Sequence, residues 1–342
     1  MRFGPVPLDA AEGAVLAHSM MAGGRKIGKG RVLTADDIAL IAGEGVRGLT
    51  VARLDPGDVG ENEAAERLAR ALVPDEGAAH LTLTVPVNGR VNLQAAGPGV
   101  TLVDAARVGA LNRVDPALTL ATLAPFTRVA KGTLCGTVKV IAYAVAGEAL
   151  ARAEAVARGA VTVRPVALKS AGLILTDAPG QAEKLNAKGR EAVAGRLRAL
   201  GMTLAGTVTV PHERGAIREA IGRVGGEMIL ILTGAATSDL HDDAPGALRD
   251  AGGEVERFGM PVDPGNLLFL GRFGGRPVIG LPGCARSPAL NGADWVLERL
   301  ACGIAVGGED IAGMGVGGLL KEIPIRPEPR EGRRGGEGRE EA

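Results

Sequence analysis

From Ala171 onward the chain alternates short apolar runs with amphipathic stretches for about 130 residues. That rhythm admits few architectures other than a mostly parallel sheet with helices on both faces. AGLILT (171–176) is an almost wholly apolar strand, and a helix over about Gln181–Leu200 follows it, ended by Gly201. TLAGTVTVP (203–211) is the next strand and ERGAIREAIGRVGG (213–226) the next helix. MILILTG (228–234) is the most apolar run and belongs at the sheet centre. A helix over about Ala244–Asp250 precedes strands in EVERFGM (254–260) and PVIGLPG (277–283), set around a PVDPGN turn. A last helix runs from Pro288 to about Leu300.

The first part has no such regularity. Residues 1–165 read as a mixed α+β region with room for two subdomains. Thr34 caps a short helix to Ala42, Gly48–Leu54 alternates as a strand, and Glu61–Leu72 is a helix expected to pack on that strand. Strands are expected at His80–Val87, Val91–Leu93 and Thr133–Ala144, with a helix near Asp104–Leu111. The tail 326–342 is charged and Gly-rich, which predicts disorder. The expected division is therefore 1–165, an α/β domain over 166–325, and the tail.

Composition excludes several functions. The 39 basic and 39 acidic side chains cancel, so no bulk field draws the chain to nucleic acid or to a membrane surface. Aromatics at 2% leave no stacking platform for single-stranded nucleic acid. Three cysteines with no paired spacing indicate neither a disulfide framework nor a zinc site. With no apolar stretch of about 18 residues and acids at Asp9 and Glu12, the expected location is the cytoplasm. GGRKIGKG (23–30) lacks the hydroxyl that ends a phosphate loop. GMGVGG (313–318) lacks the following acidic residue of a dinucleotide site. Both read as turns.

In open α/β sheets the ligand lies beyond the carboxyl ends of the strands. The residues there are Thr176 and Asp177, then Thr233-Gly234-Ala235-Ala236-Thr237-Ser238 with His241-Asp242-Asp243, then Pro282-Gly283-Cys284-Ala285-Arg286-Ser287. Ser287 as cap and Pro288 as first helical residue predict a helix start whose free N–H groups draw an anion, with Arg286 beside it to grip a phosphate. The same residues also suit an ordinary turn. Asp242 and Asp243 precede Pro245 and either cap a helix or hold a cation, with Asp177 as a further ligand. His241 is a candidate base or a salt-bridge partner. Cys284 reads as a small packing residue.

These residues carry a family resemblance. The segment Ala171–Ile304 resembles the molybdopterin-binding domain of molybdopterin adenylyltransferase and molybdopterin molybdenumtransferase. TGAATSDLHDDAP is similar to the former's Thr-Gly-Gly-Thr-Gly loop with its Arg-Asp-x-Thr-Pro, matching at Thr233, Gly234, Asp242 and Pro245. PVDPGNLLFLG resembles the latter's Pro-Gly-Lys-Pro turn, and GRPVIGLPGCARS its Leu-Pro-Gly-Asn-Pro segment. Thr176, Asp177 and Asn186 resemble its first-strand polar residue and following helix start. The chain departs from the pattern at Ala235, Thr237, His241, Asn266 and Cys284. VPLDAAEGAVLAHSM (6–20) and residues 29–54 resemble the start of the molybdenumtransferase and a segment preceding its binding domain, though here the two are adjacent.

The resemblance implies a three-layer α/β/α domain that binds molybdopterin in molybdenum cofactor biosynthesis and assists molybdenum insertion. It implies Asp242 as the catalytic residue, Asp242, Asp243 and Asp177 as ligands for Mg²⁺ or molybdate, and Pro264, Gly265 and Asn266 alongside the strand-end residues in pterin binding. Expected partners are molybdopterin itself, an apo-molybdoenzyme and a second copy of the chain. A non-enzymatic carrier of the finished cofactor and a nucleotide or phosphate-ester binder on the same fold are the alternatives.

Overall fold

The computed structural model describes residues 1–177 and 183–321. The expected tail lies outside them, as does the expected start of the helix at Gln181. The chain forms two compact units, Met1–Pro165 and Val166–Ala342.

The first unit is built of small sheets. Arg2–Pro7, Gly48–Arg53 and Val15–Leu16 form an antiparallel sheet with Gly48–Arg53 in the middle. The helix Ala35–Gly43 starts in a capping box, with Thr34 and Asp37 each bonding the other's backbone. GGRKIGKG contributes the strand Arg25–Ile27 of a hairpin with Met20–Ala22. A second antiparallel sheet takes the order Leu118–Thr122, Leu134–Val140, Arg90–Ala95, Leu81–Leu83. The expected packing of Gly48–Leu54 on Glu61–Leu72 is not found. Leu49 and Val51 join a core with Leu16 and Ile41, whereas Leu68 and Leu72 join another with Leu93 and Val138. The expected long strands are also shorter, Leu81–Leu83 and Leu134–Val140.

The second unit carries the regular alternation. Its elements are β1 (Ser170–Asp177), α1 (Glu183–Ala199), β2 (Thr203–Pro211), α2 (Arg214–Arg223), β3 (Met228–Leu232), α3 (Asp243–Asp250), β4 (Glu254–Phe258), β5 (Phe269–Phe273), β6 (Arg276–Leu281), α4 (Gly292–Ala301) and α5 (Gly308–Gly313). The sheet order is β2-β1-β3-β6-β5-β4, parallel through β6, with β5 and β4 antiparallel. β3 is buried along its whole length, as its unbroken apolar sequence requires of a strand covered on both faces.

Alternation along the strands separates two cores. Leu173, Leu175 and Leu230 pack with Val193 and Leu197 of α1 and Val296 of α4. Ile174, Ile229 and Ile231 pack with Ile217 and Ile221 of α2 and Leu248 of α3. The unit is thus a three-layer α/β/α sandwich. Among the described residues no helix is long and apolar enough to cross a membrane.

Two details differ from the sequence reading. Phe269–Phe273, of which the first three residues end the turn-like segment PVDPGNLLFLG and which the sequence reading did not assign as a strand, is a strand joined to β6 through Gly274-Gly275. The last helix does not start at Pro288. It starts after Asn291, whose side chain accepts from Ala293 N–H while Asp294 accepts from Asn291 N–H at 2.8 Å. Gly283–Arg286 is instead a short 3₁₀ turn and Ser287 follows it in extended conformation.

Candidate functional site

The chain leaves β1 toward one edge of the sheet and β3 toward the other, so a crevice opens beyond their carboxyl ends. Consecutive residues of β1 face opposite ways there, and Thr176 and Asp177 therefore serve different surroundings.

Thr176 is fully buried, and its Oγ1 accepts from Gly234 N–H at 2.7 Å, tying the end of β1 to the loop after β3. The same oxygen lies 2.9 Å from Nδ1 of His212, the residue that follows β2. His212 is 13% exposed, and its Nε2 faces Asp243 Oδ2 at 3.9 Å, beyond hydrogen-bond reach. Asp242 caps α3. One of its oxygens accepts from Asp243 N–H at 2.9 Å and the other from Ser238 N–H at 3.0 Å. This carboxylate is a structural brace as well as a candidate for chemistry.

The Thr233–Ser238 loop is shaped from beneath. Thr233 Oγ1 donates to Ala235 O at 2.6 Å and sits 3.5 Å from the Thr237 hydroxyl; both threonines are buried. Because N–H and C=O of a trans peptide point in opposite directions, holding the Ala235 carbonyl inward turns the Ala236 N–H outward, where Ala235 and Ala236 are exposed. A backbone donor so presented suits an anion.

Arg286 lies under this loop. It is 9% exposed, its Nη2 donates to Thr233 O at 2.7 Å, and its Nε has no partner. Among the described residues no carboxylate pairs with it, and burial alone pulls its guanidinium below the ordinary value. Gly189 of α1 makes room for it, since a Cβ there would stand 3.4 Å from Arg286 Cγ and 2.8 Å from Leu232 Cδ2. The segment that carries Arg286 is pinned by Arg196, which pairs with Asp294 and donates to the carbonyls of Ala285, Ser287 and Ala289.

Other expected site residues lie apart. Asp177 accepts from Asn186 Nδ2 on the α1 side, where both line a cleft of about 600 Å³ with Arg190, Thr207 and Thr209. Pro264, Gly265 and Asn266 form a turn on the same sheet edge, since β5 begins opposite Gly280 near the end of β6. That turn is occupied structurally. Pro264 O accepts from Gly292 N–H at 2.8 Å, Asn266 Nδ2 donates to Met260 O at 3.3 Å, and a Cβ on Gly265 (φ +145°) would stand 2.7 Å from Gly292 N. Pro282 and Gly283 lead into the 3₁₀ turn, and the Ser287 hydroxyl accepts from Ala289 N–H at 3.2 Å instead of capping a helix. Burial raises the Cys284 thiol, in keeping with a packing role. His241 is exposed. His212 was missed by sequence reasoning; the strand-end rule finds it when applied to TLAGTVTVP.

Mg²⁺ prefers an octahedron of oxygens. The donors that converge are one imidazole nitrogen and two carboxylates, those of His212, Asp242 and Asp243, within 4.8 Å of one another, and Asp177 is not among them. Two carboxylates with water could serve Mg²⁺, but the imidazole nitrogen in the set favours a borderline ion.

The second unit is thus a doubly wound α/β domain with its polar residues gathered at the switch point of the sheet. The model of one family, described as a domain of unknown function (DUF8806), matches residues 5–53, in the first unit. No curated protein matches. Among solved structures the chain is similar to a molybdopterin biosynthesis MoeA protein from Pyrococcus horikosii, at 14% identity over 88% of this chain and 75% of that one, with a TM-score of 0.30. It is also similar to a molybdenum cofactor biosynthesis protein from Pyrococcus furiosus, at 12% identity over 91% of this chain and 65% of that one, with a TM-score of 0.23. Likeness at this level defines neither ligand nor reaction for this chain.

Proposed function

We propose that the second unit binds molybdopterin through its phosphate and serves molybdenum cofactor biosynthesis. The observation that carries this reading is Arg286. A guanidinium buried without a carboxylate is costly, by several kcal/mol for an uncompensated ion, and a bound anion at the Thr233–Ser238 loop relieves that cost. The outward Ala236 N–H adds a second donor. The choice of molybdopterin among phosphorylated ligands rests on the sequence resemblance over Ala171–Ile304.

In this reading the phosphate is held at Thr233–Ser238 and Arg286, with Gly283 beside the guanidinium. Thr176 and His212 keep the loop in place through Gly234. The dithiolene of the pterin is the soft ligand for molybdenum, so the chain's part in insertion is positioning and charge balance. A carrier that holds the pterin without turnover is the second reading. It requires no catalytic carboxylate, and Asp242 has a structural role of its own in accepting the N–H groups of Ser238 and Asp243.

The test is to incubate the chain with molybdopterin, remove free ligand by gel filtration, and detect oxidised pterin by fluorescence, with and without molybdate. Retention with conversion to a metal-bearing form supports insertion, and retention unchanged supports the carrier. Absence of retained pterin refutes the proposal.

A further inference from the structure

We infer that His212, Asp242 and Asp243 form a binding site for a divalent first-row transition ion of the zinc class. The three residues come from two elements far apart in sequence, the end of β2 and the start of α3, and offer one nitrogen and two carboxylate donors within 4.8 Å of one another. A borderline ion takes such a mixed set, leaving further positions for water or a ligand.

Three features of the surroundings support an ion in that gap. His212 Nε2 and Asp243 Oδ2 stand 3.9 Å apart, too far to bond each other, and a closure of about 0.5 Å brings them to the roughly 3.4 Å that tetrahedral geometry sets between two ligands of one ion. The imidazole is oriented from behind, because Nδ1 contacts the buried Thr176 hydroxyl at 2.9 Å, which directs Nε2 at the carboxylates in the way that outer partners fix metal-binding histidines. Neither Asp242 nor Asp243 forms an ion pair with a lysine or arginine among the described residues; Arg214, whose charge reaches Asp243, is bonded to Asp250 by two bonds of 2.5 and 2.7 Å, so the two carboxylates are only partly offset. The hydrogen bonds that Asp242 accepts leave a lone pair on each oxygen for coordination.

The inference does not depend on pterin binding. Its test uses the full chain with Zn²⁺ alone, measured by equilibrium dialysis with metal analysis, and with Co²⁺ as a visible-absorption probe. The expected result is one ion per chain, undisturbed by a large excess of Mg²⁺. His212→Asn keeps a polar atom at the Nδ1 position for Thr176 but removes the Nε2 donor, so the variant folds and loses the ion. Thr176→Val, acting through His212, weakens binding about 10- to 100-fold. A cobalt spectrum with nitrogen ligation in the native chain should vanish in His212→Asn and persist in His241→Ala. The inference is overturned if no stoichiometric ion binds, or if folded His212→Asn, checked by its circular dichroism, binds as tightly as the native chain.

Discussion

Arg196 and Arg286 are both buried guanidiniums, yet they stand in opposite electrostatic positions. Arg196 is paired with Asp294 and donates to three loop carbonyls, so its charge is matched inside the fold. Removing one partner strands the other. Arg196→Met is expected to destabilise the second unit by about 3–5 kcal/mol, because it leaves Asp294 buried without its partner and three loop carbonyls without a donor; denaturant unfolding checks this. Another buried charge lies in the first unit. The Arg31 guanidinium, 2.8 Å away, holds the Asp37 carboxyl down at about 2 against burial, which alone would raise it, and Thr34 adds further hydrogen bonds. Because the folded value lies below the ordinary 3.8, the stabilisation is present above that pH and is lost as pH falls toward about 2. An acid titration of unfolding should show this loss in the native chain, and Asp37→Asn should be less stable near neutrality and flat across the same window.

Among the elements, the start of α4 shows how a sequence can signal two helix beginnings and use one. Ser287-Pro288 offers a hydroxyl cap and a proline suited to the first turn, while Asn291-Gly292-Ala293-Asp294 offers a reciprocal capping box. The box is used, because Arg196 draws the carbonyls of Ser287 and Ala289 to itself and Ser287 itself is extended and not helical. Asn291→Ala should therefore cost about 1 kcal/mol, and Ser287→Ala less than about 0.5 kcal/mol. Equal losses in a thermal or denaturant series would contradict the assignment. The strands and helices from Ala171 to Asp250 were legible because period and burial agree along each of them. Phe269–Phe273 was not, since its short sequence FLGRF, with Gly271 and Arg272 inside it, carries no period that distinguishes strand from loop. Thr176, Thr233 and Arg286 could be named from their strand-end positions. That Arg286 is buried under the Thr233 carbonyl, and that His212 faces Asp243, depends on contacts between residues 31 to 53 positions apart, His212–Asp243 and Thr233–Arg286, which no local pattern encodes.

For the whole molecule, equal numbers of basic and acidic side chains leave recognition to local sites, and the clearest of these lies at the switch point of the second unit's sheet. Under the proposed phosphate reading, function and stability pull against each other there, since a buried cation that awaits a phosphate is a liability while the site is empty. The direct measurement is to compare the native chain with Arg286→Met for both thermal midpoint and molybdopterin retention. An apolar side chain of similar length removes the buried charge, so the variant should unfold at the same temperature or higher, while retention falls at least about tenfold with the loss of a charge-assisted phosphate contact of about 1.5–3 kcal/mol. A variant that folds as well as the native chain and retains pterin equally would contradict the assignment of Arg286 and, with it, the proposed phosphate site.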